Sequence, residues 1–299
     1  MAQRPSDDEV RERLDAVADA LRAVPGRSVT ALDTRATPGF DGDKADGKAA
    51  LAAIGERLSD VQERLFADGR TGGTRSVLVV LQGLDTAGKG GIARHVLGLV
   101  DPQGVSLTGF GRPTPEELEH DFLWRVRRAL PRPGRIGLFD RSHYEDVLVP
   151  RAQGTVLGAA DGTDVDATVD ARYAAIEEFE RELVAAGTTV VKAVLWVSRD
   201  EQYARLRERL ERPDKHWKYS PGDVDVRLAR PAYEAAYDEV LARSSYDVAP
   251  WHVVPADRKW YARLAVSALL LRALLDLDLD WPAPSFDVAA ELARLDATR

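Results

Sequence analysis

Residues 76–91, SVLVVLQGLDTAGKGG, decide the fold of this chain. The apolar run at 77–81 predicts a buried parallel strand that stops at Gly83. Gly88 and Lys89 follow, and the next segment, IARHVLGLV, is typical of a helix. A strand, a glycine-rich turn and a helix N-terminus in this order predict a loop whose backbone N–H groups and lysine converge on a phosphate. The predicted phosphate-binding positions of the loop are Gly83, Ala87, Gly88, Gly90 and Gly91.

The loop departs from the usual pattern at two positions. Gly90 stands where a serine or threonine hydroxyl normally binds Mg²⁺, and Asp85 places a carboxylate beside the expected phosphate. A bound metal would explain both features. The alternative is a plain strand-to-helix turn that Asp85 caps, and the complete run GLDTAGKGG disfavours it.

The composition bounds the class of protein. With 299 residues, 44% of them hydrophobic, the chain can bury the core of one large α/β domain with appendages, or of two small ones. The lack of cysteine excludes disulfides and thiolate sites. No apolar segment is long enough to span a bilayer, so we expect a cytoplasmic protein without a membrane partner. A net charge of −8 argues against nucleic-acid binding but allows an anionic substrate at a basic site.

Five predicted strands alternate with helices along the chain. The four that follow the first cover 106–110, 136–139, 189–197 and 251–254. Because helices of about ten residues or more separate them, we expect an α/β fold with a parallel sheet of about five strands and helices on both faces. Ligands bind at the carboxyl ends of such strands, where Gly83 and Asp140 both lie.

Three segments are expected along the chain. They are an N-terminal helical extension at 1–70, the α/β domain at 71–285 with a lid at about 205–230, and a C-terminal tail at 286–299. Within the domain, continuous helices are predicted from Pro115 to Leu130 and from Gly222 to about Arg243. Residues 152–168 have the composition of a loop.

The second motif is IGLFDRSHYEDVLV, at 136–149. A short apolar strand that ends in Asp140 has the form of the metal-binding half of a phosphate-loop site, and Arg141 follows at once. Taken alone, this pattern could equally be an aspartate that caps a turn beside a surface arginine. Joined to the glycine-rich loop about fifty residues upstream, it predicts that Asp85 and Asp140 hold Mg²⁺.

The third feature is the charged segment 199–230, which holds nine Lys or Arg and seven Asp or Glu. A basic, mobile segment after the fourth strand is where a lid would close on transferring phosphates. Lys215, Lys218 and Arg227 are the predicted phosphate contacts of this lid. The alternative, a solvated and ion-paired helix face, is preferred for the arginines that face Glu208 and Glu211.

Candidates for binding an acceptor lie near the second motif. Asp121, Arg125 and Arg128 lie in the predicted helix at 115–130, and Tyr144 and Glu145 follow Arg141 closely. An arginine can bind an acceptor phosphate by paired hydrogen bonds. In the same helix Phe122 and Val126 are predicted core residues, and His120 is predicted to be structural.

The motifs together resemble the polyphosphate kinase 2 family. The resemblance rests on GLDTAGKGG, FDRSHYEDVLV, DKHWKYSPGD and APWHVVPADRKWYARLAV, and it extends over about residues 30–280. It implies a P-loop kinase-like fold with a helical lid, dependence on Mg²⁺ with Mn²⁺ as an alternative, and homodimers or homotetramers. It also implies phosphate transfer between inorganic polyphosphate and nucleotides.

By position, the resemblance assigns catalytic roles to four residues. Asp85 and Asp140 would lie at the metal, and Lys89 and Arg141 at the transferring phosphate. Arg112 stands where the family has a lysine after the phenylalanine, and it is the remaining candidate for acceptor binding. The subgroup most similar in its motifs acts on AMP and ADP, whereas Gly90 and Asp140 are closer to the ADP-specific pattern.

The expected function is Mg²⁺-dependent transfer of the terminal phosphate of polyphosphate to AMP, ADP or both, reversible in principle, with adenine or guanine nucleotides as partners. Two alternatives remain at this point. One is an ATP-dependent kinase of small molecules or nucleotides, and the other is a non-catalytic nucleotide-binding regulator.

Overall fold

The computed structural model describes residues 7–299. Residues 1–6, the start of the predicted N-terminal extension, lie outside this range. Five strands are present: β1 Ser76–Gln82, β2 Val105–Gly109, β3 Ile136–Asp140, β4 Thr188–Trp196 and β5 Trp251–Pro255. They form one sheet in the order β2-β3-β1-β4-β5, and every neighbouring pair is parallel. The predicted five-stranded parallel sheet is confirmed.

Twelve α-helices surround the sheet in the described part of the chain. They are α1 Asp7–Leu21, α2 Lys44–Arg70, α3 Lys89–Val96, α4 Pro115–Leu118, α5 Trp124–Arg128, α6 Glu145–Gln153, α7 Val165–Ala185, α8 Arg199–Glu211, α9 Gly222–Leu228, α10 Arg230–Ser244, α11 Lys259–Leu275 and α12 Val288–Asp296.

The two faces of the sheet are covered by different helices. Side chains alternate along a strand, so Val77 and Val79 of β1 point into one core while Leu78 and Val80 point into the other. The first core contains α1, α2, α3 and α11, and the second contains α6, α7 and α10. Because α3 follows β1 on one face and α6 follows β3 on the other, a crevice opens between the ends of these neighbouring strands.

Two predicted helices are interrupted. Residues 115–130 form the short helices α4 and α5, which a turn separates; in this turn the Asp121 carboxylate accepts a 2.9 Å hydrogen bond from the Leu123 N–H. The predicted helix at 222–243 is divided into α9 and α10, with Pro231 in the first turn of α10.

Two other segments are more helical than expected. Within the predicted loop at 152–168, α6 continues to Gln153 and α7 already begins at Val165, with Asp164 as its N-cap. The predicted C-terminal tail contains α12, whose side chains are exposed. No helix in residues 7–299 is both long and apolar enough to cross a bilayer.

The chain before α2 borders the sheet. Arg22 forms an antiparallel bridge with His252 of β5, and the Ala23 N–H donates a 2.8 Å hydrogen bond to the Trp251 carbonyl. The residues that directly follow α1 therefore occupy the outer edge of β5. The opposite edge strand, β2, is only five residues long.

Candidate active site

The glycine-rich loop connects β1 to α3 at the centre of the sheet. Gly83 has φ of 143°, and a Cβ at this position would lie 2.5 Å from the Leu195 carbonyl oxygen, so only glycine fits beside β4. Gly88 caps α3 with φ of 116°, in the left-handed region. The two glycines let the loop fold tightly against β4 before the helix starts.

Lys89 is the first residue of α3, and its side chain folds back over the loop. Its Nζ donates to the Gly83 carbonyl at 2.6 Å and to the Leu84 carbonyl at 3.4 Å. The residue is only 8% exposed, and burial, with a smaller effect of Arg141, lowers the pKa of the ammonium. Because an ammonium has three donors, one N–H remains for a phosphate.

Asp85 and Arg141 form an ion pair at the carboxyl ends of β1 and β3. The Arg141 guanidinium donates a 2.7 Å hydrogen bond to the Asp85 carboxylate. Burial alone would lower the pKa of Arg141, but the carboxylates of Glu145 and Asp85 outweigh it and raise the pKa. The arginine is therefore fixed as a cation at the point where the crevice opens.

Two non-glycine residues at this point have unusual backbone angles. Thr86 has φ of 70° and Arg141 has φ of 66°, a region that costs roughly 1–3 kcal/mol for such residues. The Arg141 N–H donates to the Leu81 carbonyl at 3.0 Å, which holds it in this conformation. Strain of this kind is concentrated at functional sites in proteins.

Asp140 ends β3, and its carboxylate has no hydrogen bond or ion pair with any other described side chain. Among residues 7–299, no group of three or more His, Asp or Glu side chains could enclose a metal. Asp85 and Asp140 are the carboxylates that the segments ending β1 and β3 bring to the crevice, whereas Glu208 and Asp223 of the cleft are paired with Lys215 and Arg209. Mg²⁺ commonly takes one or two protein carboxylates and completes its shell with substrate phosphates and water, so this pair fits that ion.

Arg205 of α8 supports the loop from behind. Its guanidinium donates to the carbonyls of Thr86 and Ala87 at 2.9 and 3.1 Å, and to those of Ala256 and Asp257 at 2.7 and 3.1 Å. The sequence predicted an ion-paired surface for the arginines of this helix that face Glu208 and Glu211. The ion pair of Arg205 with Glu201, at 2.7 Å, agrees with that prediction. The contacts of Arg205 with the loop arise from tertiary packing, and no sequence pattern predicts them.

All these groups open into one cleft of about 860 Å³. The four predicted catalytic residues, Asp85, Lys89, Asp140 and Arg141, line it. The predicted phosphate-binding residues that line it are Ala87, Gly88, Gly90, Gly91, Lys215 and Lys218. Gly83 lies beneath the loop and contributes the carbonyl that Lys89 binds.

The lid is held by ion pairs of its own. Lys215 donates a 2.5 Å hydrogen bond to Glu208, and Arg209 pairs with Asp223 at 3.1 Å. Burial and the nearby Asp85 carboxylate raise the pKa of Asp223. Lys218 lies over the Trp217 ring.

Arg227, the third predicted lid contact, lies outside the cleft. It donates to the Arg199 carbonyl at 2.8 Å and to Gln202 at 3.1 Å, and it lies over the Tyr203 ring. These contacts fasten α9 to α8 on the side of the lid that faces away from the loop, so the structure gives Arg227 a supporting position.

The predicted acceptor-binding residues are dispersed. Arg112 and Asp121 are exposed outside the cleft, and Arg128 lies over the Trp124 ring. Arg125 is buried and donates a 2.9 Å hydrogen bond to the carbonyl of Gly111, which lines the cleft. Arg125 therefore shapes the wall of the cleft.

Tyr144 is displaced from its predicted role because it is fully buried beneath the sheet. Its hydroxyl donates to Glu180 at 2.8 Å and accepts from Lys192 at 2.9 Å. Glu145 is closer to the site: burial raises its pKa, while Arg141 and Lys89 oppose the shift. It supports the charge of Arg141 without lining the cleft.

Four basic residues of the cleft wall were not predicted from the sequence. Arg94 and His95 come from α3, and Lys259 and Arg263 come from α11. The only signal in the sequence was the spacing of four between Lys259 and Arg263, which places them on one helix face.

Comparison with known proteins agrees with this geometry. The family model described as polyphosphate kinase 2 matches residues 41–280. The AMP/ADP-polyphosphate phosphotransferase of Meiothermus ruber is 42% identical over 253 residues, which are 85% of this chain and 90% of that protein. The ADP-polyphosphate phosphotransferase of Rhodopseudomonas palustris is 41% identical over 231 residues, or 76% and 78% of the two chains.

A solved structure agrees over nearly the whole chain. The crystal structure of polyphosphate kinase 2 from Arthrobacter aurescens TC1 is similar with a TM-score of 0.88 and 51% sequence identity, and the match covers 94% of this chain and 97% of the other. The loop, the acidic strand end and the lid thus occur in a fold that these proteins share. The chain belongs to the polyphosphate kinase 2 family.

Proposed function

We propose that this protein transfers the terminal phosphate of inorganic polyphosphate to AMP or ADP. The observation that carries the proposal is that Lys89, Arg141 and two carboxylates share one cleft with the lid lysines 215 and 218. The names of the relatives, which include phosphotransferases of AMP and of ADP, support both acceptors.

The chain's own residues account for the main requirements of the reaction. Loop N–H groups and Lys89 bind the terminal donor phosphate, and Arg141 compensates charge that develops on it. The attacking oxygen belongs to a nucleotide phosphate that is already anionic, so no general base is required. Positioning and charge stabilisation therefore supply most of the rate.

Asp85 and Asp140 would hold Mg²⁺, with Mn²⁺ as an alternative. When bound, the ion reduces the repulsion between neighbouring phosphates. The Asp85 carboxylate would then exchange part of its contact with Arg141 for the ion, which frees the guanidinium for the phosphate. The proposal further includes a cytoplasmic location and assembly into homodimers or homotetramers. Size-exclusion chromatography with light scattering measures the oligomeric state.

The decisive experiment offers the purified protein polyphosphate as the sole phosphate donor, with Mg²⁺ and either AMP or ADP. Formation of ADP and ATP, respectively, is the expected result, and parallel reactions with GMP and GDP test the base. Reactions with ATP as donor and no polyphosphate test for an ordinary kinase. Absence of nucleotide phosphorylation by polyphosphate in every reaction would overturn the proposal, and binding of nucleotide without turnover would favour a regulator.

A further inference from the structure

The hydroxyl of Tyr237 has no role in the mechanism above, although it reaches the start of the glycine-rich loop. Tyr237 lies on α10, and its side chain is only 3% exposed. The Gly83 N–H donates a 2.9 Å hydrogen bond to this hydroxyl. The two residues are 154 positions apart in the sequence, so the contact exists only in the folded chain.

Gly83, the first residue of the loop, is bound at both of its backbone groups. Its N–H is bound by Tyr237, and its carbonyl accepts a 2.6 Å hydrogen bond from the Lys89 ammonium. Its φ of 143° favours glycine, and the Leu195 carbonyl leaves no room for a side chain. Because glycine has little conformational preference of its own, these two hydrogen bonds determine the direction of its peptide groups.

The position of Tyr237 is fixed by contacts with β4. Its ring meets the ring of Trp196, the last residue of β4, edge-on, with 5.3 Å between the ring centroids. At the start of α10, the Arg230 guanidinium donates a 2.6 Å hydrogen bond to the Val197 carbonyl. The helix and the ring are thus both held against the sheet, and a rigid element of the fold places the hydroxyl at the loop.

The Tyr237 hydroxyl also lies close to charged groups of the second motif. Burial and then the Glu145 carboxylate raise the pKa of Tyr237. The hydrogen bond from Gly83 and the charge of Arg141 oppose this shift. The hydroxyl therefore remains neutral near pH 7. It accepts the Gly83 N–H and keeps its own proton, so it binds the loop without adding charge beside the phosphate.

We propose that Tyr237 is a positioning residue for the phosphate transfer: its hydroxyl binds the Gly83 N–H and thereby holds the Gly83 carbonyl where the Lys89 ammonium binds it. The inference rests on the proposed function and adds a residue that lies outside both motifs. Without the hydroxyl, the Gly83 peptide can turn, and the ammonium loses a contact that directs its remaining N–H at the phosphate. A misplacement of roughly 1 Å can cost a large part of the rate.

The test is Tyr237→Phe, which removes one oxygen atom and keeps the ring against Trp196. With polyphosphate and ADP, kcat should fall about tenfold, which is ~1.4 kcal/mol in the activation barrier. The KM for polyphosphate should stay within about twofold of the wild-type value, because the groups that bind the rest of the donor chain are unchanged.

Tyr261→Phe is the matched control for this variant. The Tyr261 hydroxyl is also buried and also bound to the backbone, since it donates to the Pro38 carbonyl at 2.5 Å, but neither residue lines the cleft. The control should lose stability to a similar extent, measured by urea unfolding, and keep the wild-type kcat. An unchanged kcat in Tyr237→Phe, or equal losses of kcat in the two variants, would overturn the inference.

Hydrogen exchange of the Gly83 amide, measured by NMR without substrate, separates this inference from the proposed function. In Tyr237→Phe this amide should exchange at least about tenfold faster, whereas the Val79 amide in β1 should change only as much as global stability does. If the wild type transfers no phosphate but the exchange is faster, the proposed function fails and the contact of Tyr237 with the loop is supported. If the wild type transfers phosphate and the exchange is unchanged, the inference fails alone.

Discussion

Arg141 donates a 2.7 Å hydrogen bond to Asp85 across the crevice between β3 and β1. The two residues follow the ends of neighbouring strands. If a metal ion bound Asp85 and a phosphate bound Arg141, the two side chains would lose their contact with each other. Both are partly exposed, at 37% and 21% of their side-chain areas, so the exchange needs no opening of the core. The pair joins the loop to the second motif.

Lys89→Ala should reduce kcat/KM by about 10²–10³, because it removes a charged donor aimed at the developing charge. The fold should persist, since the substitution removes a buried cation whose desolvation is unfavourable. Steady-state kinetics with polyphosphate and ADP provide the measurement. Lys48→Ala, at an exposed lysine on α2, is the control. Turnover of the Lys89 variant at the wild-type rate would remove the loop from the mechanism.

Asp140→Asn should raise the Mg²⁺ concentration for half-maximal activity by at least about tenfold. The carboxylate has no described protein partner, so its loss should change metal binding more than stability. Asp85→Asn should act in the same direction and also release Arg141. Titration of activity with Mg²⁺ tests both variants against Asp225→Asn on the lid surface. A normal titration curve for Asp140→Asn would contradict the proposed ligand.

Arg205→Lys should destabilise the protein by on the order of 3 kcal/mol and lower kcat as well. A lysine is a single point donor and cannot serve the four carbonyls that the guanidinium binds on the loop and after β5. Urea unfolding and kinetics measure the two effects. Arg207→Lys, on the exposed side of the same helix, should be nearly neutral. Equal stability of the two variants would show that Arg205 does not support the loop.

Lys192→Met should cost about 3–5 kcal/mol of stability, because it leaves the Glu180 carboxylate charged and buried without a cation. In the wild type the ammonium donates to Glu180, the Tyr144 hydroxyl and the Ser244 carbonyl, at 2.6, 2.9 and 2.7 Å. The double variant with Glu180→Gln should lose less than the single one. Urea unfolding measures the stability of both variants. A double variant that is less stable than Lys192→Met would contradict the claim that the unpaired Glu180 charge causes the loss.

The free energy of unfolding should fall as the pH is lowered from about 6.5 to about 4, partly because of His252. Burial lowers the pKa of this histidine to about 4, although its hydrogen bond to the Lys192 carbonyl opposes the shift. Between these values the unfolded chain binds a proton that the folded chain does not, so stability is lost as pH falls, by on the order of 3 kcal/mol. In His252→Gln, the free energy of unfolding should depend less on pH in this range. An unchanged pH dependence would show that His252 is not responsible for the loss of stability.

The sheet and the loop were accessible from the sequence because their signals are local. Apolar runs mark the strands, and two glycines of the loop are required by the backbone: Gly83 by a close approach to β4 and a positive φ, and Gly88 by a positive φ. The breaks inside two predicted helices were missed, although Pro231 is a residue that commonly starts a helix and Asp121 one that commonly forms a turn. Periodicity alone treats such residues as interior positions.

The candidate site was predictable only in part, and the reason is tertiary packing. Asp140 and Arg141 lie at the end of β3, and Asp85 and Lys89 lie in the turn and helix start that follow β1, so a parallel sheet brings them together. Tyr144 follows Arg141 closely in sequence but turns into the core toward Lys192. Arg205, Arg94 and Arg263 acquire their positions from contacts between helices that are far apart in the chain, and spacing along one helix carries no information about such contacts.

The bridge between Arg22 and His252 has a consequence for assembly. A parallel sheet that ended at β5 would display a row of unsatisfied backbone groups, which is a template for a strand from another molecule. The segment after α1 occupies that row, and the other margin of the sheet is short. A chain that began after Val24 would retain every residue of the cleft. It would, however, lose part of its core and leave the outer edge of β5 uncovered. We therefore expect such a chain to aggregate even though its catalytic residues are intact.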